Sequence, residues 1–225
     1  MTGRVTVEFQ PEPTGLRERK KQITRDALVR VSLELFIAQG YEQTTVDEIT
    51  DAVDVSQRTF FRYFVSKEEV AFALQDLVTQ RFTASLRERP AHEGPFDAMR
   101  NAVLLGWDHI EEALGEIAPV ETHMRSCLMI ESTPALLAAH LRRSTEMEEL
   151  VAGIIAEREG LDLNADPRPR ILVGAFSAVM RVAGKVWSWG DDLSKDALRD
   201  LTAEHLSQLG PALTQDWRAR RTQTI

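Results

Sequence analysis

Apolar residues recur at helical spacing along nearly the whole chain, and strand-like alternation is convincing nowhere, so the pattern predicts an all-α protein. Ile23, Ala27, Val31 and Leu35 repeat every four residues, with Leu28 and Phe36 beside them. That row predicts a helix over 16–39, ended by Gly40 as a left-handed cap with Tyr41 as its apolar follower. Thr45 and Glu48 have capping-box spacing and open a short helix with Val46, Ile49 and Val53 on its inner face. Asp54-Val55 leaves room only for a tight turn, and Ser56 caps a third helix running to about Tyr63. A second capping box, Ser66 and Glu69, opens a long helix expected to run unbroken to about Arg89.

Beyond Pro90 and Gly94-Pro95 the pattern stays helical. Helices are expected over 95–117, 119–131, 134–160, 167–189 and 194–217, with Pro119 and Pro134 at helix starts and Gly160, Gly190 and Gly210 as punctuation. Residues 1–15, with Pro11, Pro13 and Gly15, read as an arm, and 218–225 as a tail. The chain divides into a tri-helical domain at 16–67 and a larger helical bundle at 68–217.

Charge complicates the choice of partner. The formal net charge is -8, which taken whole argues against a polyanion. Its distribution is uneven, however: Arg17, Arg19, Lys20, Lys21, Arg25 and Arg30 face only Glu18 and Asp26. A positive end on an acidic body orients a protein toward a polyanion, although the same charges suit a solvated helix face. Cys127 stands alone, which excludes an intrachain disulfide and fits a reducing compartment. The N-terminus is too polar for a signal peptide. The longest apolar run, Ile171–Met180, holds Ser177 and falls short of the ~20 residues that span a bilayer. The expected location is the cytoplasm, with no membrane association.

Residues 44–67 read TTVDEITDAVDVSQRTFFRYFVSK, which has the proportions of a helix-turn-helix. Phe60 and Phe64, four apart, form the inner stripe of the second helix, and Gln57, Arg58, Phe61 and Arg62 fall outside. Arg58 has the donor pair for guanine, Gln57 the amide for adenine, and Phe61 the apolar surface for a thymine methyl. Thr45, Tyr63 and Lys67 sit near helix ends, within reach of phosphates. A small tri-helical core with a polar face accounts for the same pattern without DNA.

The stretch from Ile23 to Leu74 resembles the DNA-binding domain of the tetracycline-repressor (TetR) family. The resemblance is carried by Ala27, Leu35-Phe36, Gly40-Tyr41, Thr44-Thr45-Val46, Ile49, Val55-Ser56, Thr59-Phe60-Phe61, Tyr63-Phe64 and Ser66-Lys67-Glu68. It implies base contacts from Gln57, Arg58, Thr59 and Phe61, and phosphate contacts from Thr45, Ser56, Thr59, Tyr63 and Lys67. The chain departs from the family at Asp54, where a glycine is usual; Asp tolerates the left-handed region better than most residues. Arg17–Lys21 are expected near phosphates or the adjacent minor groove, or else on a solvated surface.

The resemblance further implies a homodimer on a palindromic operator with half-sites ~34 Å apart or a multiple. It implies a C-terminal domain that binds a small, largely apolar effector, lipid-like or acyl-coenzyme A in some members. Gly174, Ala175, Ala178, Ala183 and Gly184, with Leu198, Leu201, Leu206, Leu209 and Leu213, are then the expected dimer helices, or an ordinary intrachain core. Met99, Val103, Trp107 and Ile110 form a stripe around which Met124, Leu128, Phe176, Met180 and Trp187 can close as an effector site. His109, His123, Arg125 and Arg181 are candidates for its polar end, while plain core and surface explain the same residues. The expected output is repression relieved by the effector, transmitted through the helix from Ser66; activation, or regulation without an effector, is the alternative. His123 and Cys127 are four apart, but a pair falls short of the four ligands zinc wants. No metal, cofactor or enzymatic activity is expected, since phosphate-loop, GxSxG, HExxH and CxxC motifs are absent.

Overall fold

A computed structural model describes residues 15–115 and 117–215, without the side chains of Leu16 and Arg17. The expected arm up to residue 14, the tail at 218–225 and the Arg17 side chain therefore lie outside the described residues. Among the described residues every regular element is a helix. The head comprises α1 (Leu16–Gln39), α2 (Val46–Val53) and α3 (Gln57–Tyr63). Behind it come α4 (Lys67–Ala71), α5 (Ala73–Glu88), α6 (Pro95–Asp108), α7 (Ile110–Leu114), α8 (Val120–Ser132), α9 (Pro134–Glu159), α10 (Arg168–Ser188) and α11 (Lys195–Thr214).

Local caps fix the head's boundaries. Thr45 Oγ1 accepts from the Glu48 N–H at 3.2 Å, and the Glu48 carboxylate accepts from the Thr45 N–H at 2.8 Å. Ser56 Oγ accepts from the Thr59 N–H at 3.2 Å. Between these helices Asp54 takes the left-handed conformation, φ 55° and ψ 50°, in which the family's usual glycine is most at ease. Ser66 Oγ accepts from the Glu69 N–H at 3.2 Å, but the Glu69 carboxylate reaches back to the Val65 N–H rather than to Ser66.

The expected capping box at Ser66 is therefore only half formed, and three further expectations need correction. The buried stripe of α1 runs through Leu28, Val29, Ser32, Leu33 and Phe36, whereas Ile23 is 59% exposed. The four-residue row lies at the margin of the face that α1 packs on α2, α4 and α8. The helix from Ser66 is not continuous: it breaks at Phe72, φ -95° and ψ -1°, which is fully buried and packs on His140 and Arg143 of α9. The helix expected over 95–117 breaks at His109, φ -116°, and ends at Gly115, whose φ of 55° with ψ -136° suits glycine alone.

One apolar core runs from Leu28, Phe36, Ile49 and Phe60 of the head through Phe72 to Ile110, Ile130 and Leu136. A second, around Leu86, Met99, Ile155, Phe176 and Leu206, holds the distal half together. Arg158 closes the end of α5 by donating to the carbonyls of Arg89 at 2.8 Å and Pro90 at 3.1 Å. α10 packs chiefly on α11 and α9.

Candidate DNA interface and sensor cavity

α3 presents the reading face. Phe60 and Phe64 are buried and anchor it, while Gln57, Arg58, Phe61 and Arg62 project outward. Phe61 is 53% exposed and rests edge-on against Phe60. The Gln57 side-chain amide donates to the Asp47 carboxylate of α2, a partner that spacing along the chain does not mark. Arg58 makes no hydrogen bond or ion pair among the described residues, so its guanidinium is open to a ligand. Arg62 lies over the Tyr63 ring, 5.0 Å from its centroid.

The residues expected at phosphates are mostly engaged in local bonds. The Thr45 hydroxyl is tied to the Glu48 carboxylate at 3.0 Å. Ser56 and Thr59 hydroxyls are 3.1 Å apart. Lys67 Nζ donates to the Tyr41 carbonyl at 2.6 Å and the Thr44 carbonyl at 2.8 Å, and sits 4.3 Å from the centre of the Tyr41 ring. Two of its three N–H donors therefore staple the α1–α2 turn to the start of α4. Burial pulls the Lys67 ammonium below its usual range, and burial, then Glu68 and Glu42, pushes the Tyr41 hydroxyl up to about 12. Of the basic N-terminal residues, Arg19, Lys20 and Lys21 are exposed on α1 near the head, and Arg25 turns inward to stack on Phe64 at 5.3 Å.

Behind the head a cavity of about 350 Å³ opens between α5, α6, α8, α9 and α10. Its size is near the lower end of the ~300–1,000 Å³ usual for small-molecule sites. Of the residues offered as effector contacts, Met99, Val103, Trp107, Phe176, Met180 and Trp187 line it, together with His123 and Arg181. Five expected residues do not line it. Ile110 is fully buried in the core shared with the head. Met124 packs with Trp187 and Leu198, and Leu128 packs beside that group. His109 is exposed at the α6–α7 break, with Nδ1 3.0 Å from the Leu105 carbonyl. Arg125 also points away, exposed on α8.

Other lining residues come from helices whose role is not marked by composition. Gln75, Val78, Thr79 and Phe82 form one face of α5, and α9 adds His140, Ser144, Met147 and Glu148. The i, i+3, i+4, i+7 spacing on α5 is a readable signal, because it mixes polar and apolar residues on an inward stripe. Burial holds the His123 imidazole down to about 4 and the Cys127 thiol up to about 12, so both are neutral near pH 7. Their Nε2 and Sγ atoms are 3.8 Å apart, and among the described residues no third ligand joins them to hold a metal.

Comparison with known proteins adds lineage to this geometry. Residues 28–74 match the model for bacterial regulatory proteins of the tetR family, and residues 93–214 match the MftR C-terminal domain. The regulator TcmR of Streptomyces glaucescens is 47% identical over 210 residues, 92% of each chain. MftR of Mycobacterium tuberculosis, named as a regulator of mycofactocin biosynthesis, is 28% identical over 178 residues, 78% of this chain and 85% of its own. A TetR-family regulator from Syntrophomonas wolfei has the same fold at TM-score 0.59 and 19% identity, covering 86% of this chain and 98% of that one. A transcriptional regulator from Aquifex aeolicus does so at TM-score 0.52 and 17% identity, covering 83% and 99%.

Proposed function

Because this chain belongs to the TetR family of bacterial transcriptional regulators, we propose that it represses transcription as a homodimer on a palindromic operator and is released by a small, largely apolar effector. It is a DNA-binding regulator and not an enzyme. Residues 16–67 are the DNA-binding domain, and 68–217 bind the effector and form the dimer. Arg58, Gln57, Thr59 and Phe61 read bases; Thr45, Ser56, Thr59 and Tyr63 meet phosphates. Lys67 braces the turn behind them and has one N–H left for a phosphate. Repression of this kind takes place in the cytoplasm, where the DNA is.

The observation that carries the reading is the cavity's position. Its wall includes His140, which stacks on Phe72 at the joint between α4 and α5. A molecule filling the cavity presses on that joint, and α4 begins at Lys67, which holds the head. The bistable element is thus the Phe72 break rather than a rigid rod, and the coupling required is of order 1–3 kcal/mol.

Dimerisation is supported by an apolar row on α10 and its C-cap residue Trp189. Ile171, Val182, Val186 and Trp189 are 66%, 52%, 40% and 73% exposed. By length and composition α10 is apolar enough to cross a membrane, yet it packs on α9 and α11 as part of the bundle. A second copy of the same helices accounts for the exposed row.

The test begins with selection of an operator from random DNA by the purified protein. Ligands that raise its melting temperature are then added to the complex. Release by at least one such ligand is expected, and Val103→Trp, which fills the cavity, should keep operator binding and lose the response. If every stabilising ligand leaves the complex intact, the effector reading is wrong.

A further inference from the structure

Two buried polar atoms in the cavity's lining residues, Trp107 Nε1 and His123 Nδ1, have no hydrogen-bond partner among the described residues. Native proteins rarely leave such atoms unpaired unless a ligand or water completes them. The two residues sit on different helices, α6 and α8, and both line the same cavity. The other indole on this wall behaves ordinarily: Trp187 Nε1 donates to the Ser194 carbonyl at 3.1 Å. His123 is 2% exposed, and its second ring nitrogen already faces Cys127.

Charge narrows the choice of ligand. Arg181 is already paired with Glu148 at 3.1 Å, and Glu131 adds a further carboxylate to the lining. Burial keeps His123 neutral. Among the described residues that line the cavity, no unpaired Lys or Arg awaits an anion.

We propose that the cavity takes a compact, uncharged, apolar molecule bearing a hydroxyl, held where Trp107 donates to that oxygen and His123 Nδ1 completes its hydrogen bonding. The inference rests on the reading of the cavity as the effector site. A hydroxyl suits either tautomer of His123, since it can accept from an N–H or donate to a bare nitrogen. A carboxylate cannot donate and would bring charge beside Glu131 and Glu148; a hydrocarbon leaves both atoms unpaired. The bound oxygen ties α6 to α8, and α8 packs on α1 of the head.

The full-length protein is titrated calorimetrically with three probes of similar size: 2-naphthol, naphthalene and 2-naphthoate. The hydroxyl probe is expected to bind about 10-fold more tightly than naphthalene, as one well-placed buried hydrogen bond provides. 2-Naphthoate should bind most weakly. Trp107→Phe keeps an aromatic ring but removes the pyrrole half with its N–H, so it should cut the preference for 2-naphthol over naphthalene to about threefold or less, while naphthalene affinity by itself reports the change in packing. His123→Met should give an independent loss, with circular dichroism and operator binding reporting its folding; Trp107→Phe stands as the test if it fails to fold. Equal affinity for 2-naphthol and naphthalene, or an unchanged preference in Trp107→Phe, overturns the polar subsite and leaves the cavity an effector site. Tightest binding of 2-naphthoate overturns the uncharged class. If none of the three binds, the subsite falls together with the effector reading.

Discussion

The His140 imidazole lies parallel to the Phe72 ring, with centroids 6.4 Å apart and 5° between planes. Arg143 covers the same ring at 4.8 Å and pairs with Asp76 at the start of α5, while Arg142 pairs with Glu68 of α4 at 3.6 Å. One turn of α9 thus grips both sides of the break between α4 and α5. Phe72 is fully buried, so any shift of α9 must move the break rather than slide past it.

His140→Ala removes the stacked partner and leaves the head's own core untouched. Operator affinity without effector should change by less than about threefold. The effector concentration for half-release should rise about 10-fold, equivalent to ~1.4 kcal/mol of lost coupling. Fluorescence anisotropy of labelled operator, with a ligand returned by thermal-shift screening, measures both. An unchanged release midpoint removes His140 from the route.

Two residues on the reading face should change specificity in different ways. Arg58→Ala should cost about 1–3 kcal/mol on the selected operator and relax preference at one base pair. Asp47 never needs to touch DNA. Its carboxylate accepts from the Gln57 amide nitrogen, which leaves the Gln57 carbonyl oxygen as the acceptor for a base. Asp47→Ala frees the amide to rotate, so binding-site selection should return a broader choice at the pair opposite Gln57 and an unaltered one opposite Arg58. Uniform weakening across all sites in both variants would undo the assignment.

The contrast between local and remote causes explains which features the chain discloses before folding. Thr45, Ser56 and Asp54 act on backbone within three residues, so the limits of α2 and α3 and the left-handed turn are legible as written. The break at Phe72 is not, because it depends on His140 and Arg143, far along the chain. The same holds for the cavity. Met99, Trp107 and Phe176 face it and Met124 and Leu128 do not, although all are large apolar residues at helical spacing. Periodicity finds the inward side of a helix, but whether that side meets a void or another side chain is decided by its neighbours. Lys67 is a third instance: its place at a helix start suggests a phosphate, and only the fold reveals the carbonyls of Tyr41 and Thr44 beneath it.

Lys67→Ala should therefore behave as a loss of structure before a loss of contact. Two carbonyls lose a charged donor that is partly shielded from water, a change of about 1–2 kcal/mol in stability. Thermal melting should show the head less stable, and operator affinity should fall alike for all sequences. The salt dependence of binding should change by about one counterion or less. Lys67→Arg, which keeps the charge but not the compact geometry, should recover salt dependence better than stability. Unaltered melting with a full loss of one counterion would make Lys67 a simple phosphate contact.

His123 should give the protein an acid-sensitive stability in a defined window. Its unfolded value is near 6.5, and burial holds the folded imidazole at about 4. Below pH 6.5 the unfolded chain takes up a proton that the folded chain refuses, so stability falls as pH drops from about 6.5 toward 4 and then levels off. Burial also lowers His140, adding to the slope in the same direction. The Glu93 carboxylate, held near 2 by Arg89 and Asn101, acts separately: its contribution is lost only as pH falls from about 4.5 toward 2. His123→Met should therefore flatten the upper window and leave the lower one. At about 1.4 kcal/mol per unit, the His123 contribution lost by pH 4 amounts to a few kcal/mol. Urea midpoints measured from pH 7 to about pH 2 compare the two proteins, and an equal decline in both across the upper window would show that His123 is solvated in solution.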